Sequence, residues 1–112
     1  MHELSVTQSI LNICLEERRK RNFKFIKEIN LCVGEFCGLV PNCINYYFEI
    51  ISKGTVAENA KINIKKINAK IKCLDCLYEG EINKDYICPL CSSLNLKILG
   101  GNEFYLESLE VD

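Results

Sequence analysis

Residues 72–91 read KCLDCLYEGEINKDYICPLC. Two C-x-x-C pairs, Cys73 with Cys76 and Cys88 with Cys91, are separated by eleven residues. A C-x-x-C turn lets two thiolates converge on one ion while backbone amides donate to the sulfurs, and two such turns close a tetrahedron. Zinc is the default occupant, with an iron site or a redox dithiol as the alternatives. Four thiolates leave no position for water, so the site is expected to be structural rather than hydrolytic. A unit of about twenty residues has little core of its own, and removing the metal should loosen it first.

Outward from the cysteines, strand patterns flank the unit on both sides. Before it, AKINIKKINAKIK alternates as Ala60, Ile62, Ile64 and then resumes one step out of phase as Ile67, Ala69, Ile71. That predicts a bulge or bend near Lys65 and Lys66, where the strand could leave its sheet. After it, LNLKIL and EFYLESLEV alternate on either side of GGN, which reads as a hairpin. Further back, Phe25, Lys27, Ile29, Leu31 and Val33 alternate with Ile26, Glu28, Asn30 and Cys32, predicting a strand that ends at Gly34.

Two helices complete the pattern. Ser5 and Gln8 fit a capping box, so a first helix is expected to start at Ser5, with an apolar stripe through Leu4, Ile10, Leu11, Ile13, Cys14 and Leu15. The basic run Arg18 to Arg21 suits its carboxyl end. Pro41 is placed to open a second helix, with Ile44, Tyr47, Phe48 and Ile51 at helical spacing and Gly54 as its stop. The fold class expected is α+β: two helices packed on one face of a small β-sheet, with an inserted four-cysteine, zinc-ribbon-like unit before the final hairpin. The expected division is an α/β domain over 1–69 and 94–112 and a zinc-binding domain over 70–93.

Composition narrows the function. The chain has 112 residues, 48% hydrophobic and 26% charged, the size and balance of one globular domain with at most a small appendage. MHELSVTQ has neither a basic start nor an apolar run, and no stretch approaches the length that crosses a bilayer. A cytoplasmic protein without membrane association is therefore expected, and a reducing compartment favours metal or free thiols over disulfides for the eight cysteines. Cys14 and Cys32 fall within regular elements and read as small core side chains, while Cys37 and Cys43 lie in or beside a loop, where a second soft-metal site is the minority reading. A net charge of −1 gives no field toward phosphate backbones, so nucleic acid is not expected as a partner. Without a second histidine or an open zinc position, an enzyme is not expected either.

The single histidine, His2, lies one residue from the start. An α-amine followed by histidine offers three nitrogens in one plane, from the amine of Met1, the deprotonated amide of His2 and its imidazole. Tetragonal nitrogen and oxygen donors suit Ni(II) or Cu(II), and Glu3 can add its carboxylate or its amide.

MHELSVTQSIL, GEFCGLVP, KGTVAENAKI, the CxxC and CPxC pairs and the closing GNEFYLESLEV together resemble the HypA/HybF family, which assists nickel insertion into [NiFe]-hydrogenase. The resemblance implies a nickel metallochaperone in which His2 is the essential nickel ligand, Glu3 supports it, and Cys73, Cys76, Cys88 and Cys91 bind structural zinc. Ni(II) is then a transient cargo and Zn(II) a resident. It further implies docking with a nickel-handling GTPase of the HypB type and with the hydrogenase large-subunit precursor, and leaves room for a homodimer. Two departures stand out. Leu77, Leu90 and Ser92 occupy positions where some relatives carry a histidine beside the zinc cysteines, and Leu39, Val40 and Pro41 stand where some carry an acidic residue that can reach nickel. The competing expectation is a zinc-ribbon module that binds protein or nucleic acid, supported by the lysine face from Lys61 to Lys72.

Overall fold

The computed structural model describes residues 3–112. The order of elements is α1 (Glu3–Lys20), β1 (Ile26–Gly34), α2 (Pro41–Ile51), β2 (Lys61–Ile67), β3 (Lys70–Cys73), β4 (Glu79–Glu81), β5 (Leu96–Gly100) and β6 (Phe104–Val111). The strands form two three-stranded sheets, ordered β2-β1-β6 and β4-β3-β5, where the sequence pattern suggested one. The α+β class stands.

α1 buries Thr7, Ile10, Leu11 and Cys14, a spacing of three, four and seven that lines one face, and ends on Arg18, Arg19 and Lys20. Ser5 does not cap it. The helix already includes Glu3, so the Ser5 carbonyl accepts a bond from the Ser9 hydroxyl and Gln8 donates forward to Asn12 instead of back to Ser5. α2 opens on Pro41, whose missing N–H is an orphan at a helix start, and buries Ile44 and Phe48. Gly54, at φ 77°, lies just past its end.

The chain divides into two compact units. The first holds α1, β1 up to Cys32, Gly38–Lys65 and Tyr105–Asp112. β1 is the middle strand of its sheet, so both of its edges are paired, and Ile26, Ile29, Leu31 and Cys32 on it are all buried. The second unit comprises Val33–Cys37 and Lys66–Phe104, which is broader than the stretch 70–93. Its extra extent has a backbone cause: Glu35 N–H donates to the Ile67 carbonyl at 2.8 Å, Gly34 N–H to Glu103 at 2.7 Å, and the Glu35 carboxylate accepts from Ala69 N–H at 2.9 Å.

The lysine-rich strand does bend and change sheets. β2 ends at Ile67 and β3 resumes at Lys70 in the other sheet, with a register shift between Lys70 and Ile71. The expected final hairpin is not formed. β5 pairs antiparallel with β3, whereas β6 lies beside β1, so the GGN turn carries the chain from one sheet to the other. Gly101, at φ 108°, turns the backbone there, and the Glu103 carboxylate accepts its N–H at 2.5 Å.

Candidate metal centre

Cys73 is the last residue of β3, and the turn that follows brings Cys76 back toward it. Leu77 N–H donates to the Cys73 carbonyl at 3.0 Å and Cys76 N–H points at the Cys73 sulfur at 3.4 Å. The second pair repeats this geometry. Ser92 N–H donates to the Cys88 carbonyl at 3.0 Å and Leu90 N–H to the Cys88 sulfur at 3.4 Å. Each loop then needs a left-handed residue to leave the turn, supplied by Leu77 at φ 68° and Ser92 at φ 62°.

The two loops bring all four sulfurs within 4.8 Å of one another. Cys73 and Cys91, and likewise Cys76 and Cys88, approach to 3.5 Å, and both of these contacts run between loops rather than within one. A tetrahedron with zinc–sulfur bonds of about 2.3 Å has edges of about 3.8 Å, so this donor set and spacing fit a tetrahedral thiolate ion. Cys73 and Cys88 are buried, whereas Cys76 and Cys91 reach solvent. The amide of Cys76 lowers the Cys73 thiol below its ordinary range. Burial opposes ionisation of Cys88, but the amides of Cys91 and Leu90 hold it down at about 7. Cys91 receives help from the Ser93 amide, yet the neighbouring Cys73, burial and the other thiols push it up to about 12. Four thiols this close accept a first negative charge readily and resist the last, a conflict that a bound dication removes.

A carboxylate joins the two loops. Asp75 accepts bonds from the Ser93 hydroxyl and, at 3.2 Å, from Asn95, while Leu74 N–H donates to the Asn95 carbonyl at 2.9 Å. The Ser93 and Asn95 donors keep the Asp75 carboxyl below the usual carboxylate range. Sequence reading missed this bridge, because nothing in the spacing of an Asp, a Ser and an Asn marks them as partners.

The remaining cysteines stay outside the cluster. Cys14 and Cys32 are buried in the first unit, as small core side chains would be, and Cys37 donates to the Glu103 carbonyl at 3.6 Å in the second. Among the described residues, Cys73, Cys76, Cys88 and Cys91 form the one group whose donors converge for a metal. Of the amino-terminal residues Met1, His2 and Glu3, the first two lie outside the described residues, and Glu3 stands half-buried in the first turn of α1.

A family model described as "Hydrogenase/urease nickel incorporation, metallochaperone, hypA" matches residues 1–111. The chain belongs to the HypA family. Family relatives named hydrogenase maturation factor HypA include those of Methanocaldococcus jannaschii, 41% identical over all of this chain and 98% of the relative, and Caldanaerobacter subterraneus subsp. tengcongensis, 37% identical over both whole chains. The solution structure of the Ni metallochaperone HypA from Helicobacter pylori is 31% identical and superimposes with a TM-score of 0.67, covering 99% of this chain and 97% of that one. Another HypA solution structure, 29% identical, reaches 0.72 over 99% and 96%. HypA proteins are hydrogenase maturation factors of a metallochaperone family rather than a family of catalysts. Among the described residues no helix is long and apolar enough to cross a membrane.

Proposed function

We propose that this chain is a cytoplasmic nickel metallochaperone that takes up Ni(II) at its amino terminus and helps insert it into [NiFe]-hydrogenase. The cargo ligands are the amine of Met1, the amide and imidazole of His2, and Glu3. Cys73, Cys76, Cys88 and Cys91 hold Zn(II) as a structural ion. A GTPase of the HypB type assists the transfer to the hydrogenase large-subunit precursor. The first compact unit handles nickel and the second handles zinc.

The observation that carries this reading is the match to the HypA family model from residue 1 to residue 111, which includes the MHE start. Chemistry supports it. A closed site of four sulfurs retains its ion, whereas cargo needs a site with few ligands that releases. The chain has one histidine, so His2 is the sole imidazole available.

Nickel titration of the untagged protein by calorimetry tests the assignment. The wild-type chain should bind one Ni(II), His2→Ala should bind none, and zinc content should stay at one per chain in both. An unchanged nickel isotherm for His2→Ala would overturn it.

A further inference from the structure

The sheet of the first unit ends on a strand with one open edge. In the order β2-β1-β6, β2 pairs with β1 alone among the described residues. A cavity of about 470 Å³ opens where α2 and β2 meet, lined by Asn45, Phe48 and Glu49 of α2, by Lys53 just past its end, and by Lys61 and Ile62 of β2. Its lining comes from the stretch 45–62 alone, without β1, so the cavity lies toward the edge of β2 that β1 does not cover. Asn45 and Glu49, one helical turn apart, form its wall.

Two sets of bonds fix which way the backbone of β2 faces. The Ile67 carbonyl accepts from Glu35 N–H at 2.8 Å, and in the same register the Asn63 amide donates to Asn30 and Glu28 of β1 at 2.8 and 2.7 Å. Backbone groups of a strand point to alternate sides along the chain, so the odd-numbered residues bond β1, and Ile62 and Ile64 turn their N–H and C=O to the open edge. An extended segment adds as a further strand on such groups. Side chains select the segment. A strand laid beside β2 meets Lys61 and Lys65 on the face that carries Asn63, and Ile62 and Ile64 on the face toward α2. Glu28, which also draws on Lys61, lies one strand further off, about 4.8 Å, and is held by Asn63. In the groove Glu49 and Glu58 are matched by Lys53 and Lys61. β2 itself carries Lys61, Lys65 and Lys66 and no carboxylate, so two copies of it repel, whereas a strand with acids outward and apolar residues inward complements it.

We infer that the open edge of β2 and the groove beside α2 seat, by strand addition, an extended segment of a partner protein in which acidic residues alternate with apolar ones. The test uses the full untagged chain and two labelled, capped peptides of about eight residues, one alternating valine with glutamate and one alternating valine with lysine. By fluorescence anisotropy, the glutamate peptide should bind at least about tenfold tighter than the lysine peptide. On binding, the amides of Ile62 and Ile64 should gain protection from hydrogen exchange read by NMR, while those of Asn63 and Lys65, already bonded to β1, should change little. Ile64→Pro removes a donor from the open edge without touching the ladder to β1, and should weaken the glutamate peptide at least about tenfold. Lys61→Glu combined with Lys65→Glu should reverse the preference between the two peptides.

Failure of both peptides to bind at about 1 mM would overturn the site and leave nickel uptake untouched. Binding of the glutamate peptide without protection at Ile62 and Ile64 would reduce it to a charge contact and overturn strand addition. An unchanged preference in the double lysine variant would overturn the acidic occupant. Should Ile64→Pro lose the wild-type circular dichroism spectrum, the amide protection and the lysine reversal still decide. Self-association of the wild type that Ile64→Pro abolishes would put a strand of a second copy in the groove and overturn the separate partner.

Discussion

Gly34 ends β1 where no side chain fits. A Cβ built there would collide with the Gly101 carbonyl, and Gly101 in turn lies 2.7 Å, measured from its own built Cβ, from the Ala69 Cα. Three backbones therefore cross at a point that only small residues allow, tied by Phe36 N–H donating to the Gly101 carbonyl. Gly34→Ala should destabilise the second unit by about 1–3 kcal/mol, as overpacking does, visible as a lowered denaturant midpoint for that unit. Cys14 gives a second prediction at this scale. Burial pushes its thiol up from an ordinary 9.0 to about 11, against a smaller pull from its backbone. Between pH about 9 and about 11 the unfolded chain releases this proton and the folded chain keeps it, so stability falls as pH rises through that window. Below about 9 the group contributes no slope. Cys14→Ala should flatten the wild-type dependence in the same window, measured by denaturant titration at a series of pH values; identical slopes would refute the burial argument.

At the scale of elements, the two cysteine loops share one geometry, and most of it was legible in advance. C-x-x-C spacing dictates a turn tight enough to converge two sulfurs, and two such turns met as expected. The bend in AKINIKKINAKIK was legible for a similar reason: a change of phase cannot stay on one face of one sheet. What failed was pairing. LNLKIL and EFYLESLEV alternate just as hairpin arms do, but alternation does not say which strand is the neighbour, and β3 and β1 claimed them separately. Ser5 and Gln8 had the letters of a cap without its position, because the helix begins before them. The Asp75 bridge was invisible for want of any periodicity. Its role is measurable: Asp75→Ala removes the acceptor that joins the first loop to Ser93 and Asn95, and should lower zinc affinity about tenfold in competition with a chromophoric chelator. Affinity equal to wild type would mean that the loops hold their places without it.

At the scale of the whole molecule, the two units differ in what they can support without a metal. The first buries Ile10, Leu11, Ile26, Ile29, Leu31, Ile44 and Phe48, an apolar core of ordinary kind. In the second, Ile71 and Val33 are the buried large aliphatic residues, and the other buried hydrophobic residues are Cys37, Ala69, Cys73 and Cys88. Burying one such aliphatic side chain contributes about 1.5–3 kcal/mol, while ordering each residue's backbone costs about 1–2 kcal/mol. Two aliphatic side chains cannot by themselves offset the ordering of the loops from Cys73 to Leu96, so an ion held by the four thiolates is a main support of this unit. A structural zinc site contributes about 10–16 kcal/mol in zinc-finger peptides, far more than either aliphatic side chain. Stripping the metal with a strong chelator should therefore raise amide exchange at least about 100-fold across residues 73–95, while α1, α2 and β1 up to Cys32 keep their protection. Restoring Zn(II) should restore the protection in the loops. Hydrogen exchange read by mass spectrometry distinguishes this from the alternative, in which both units lose protection together and the cysteine site supports the whole fold rather than its own unit.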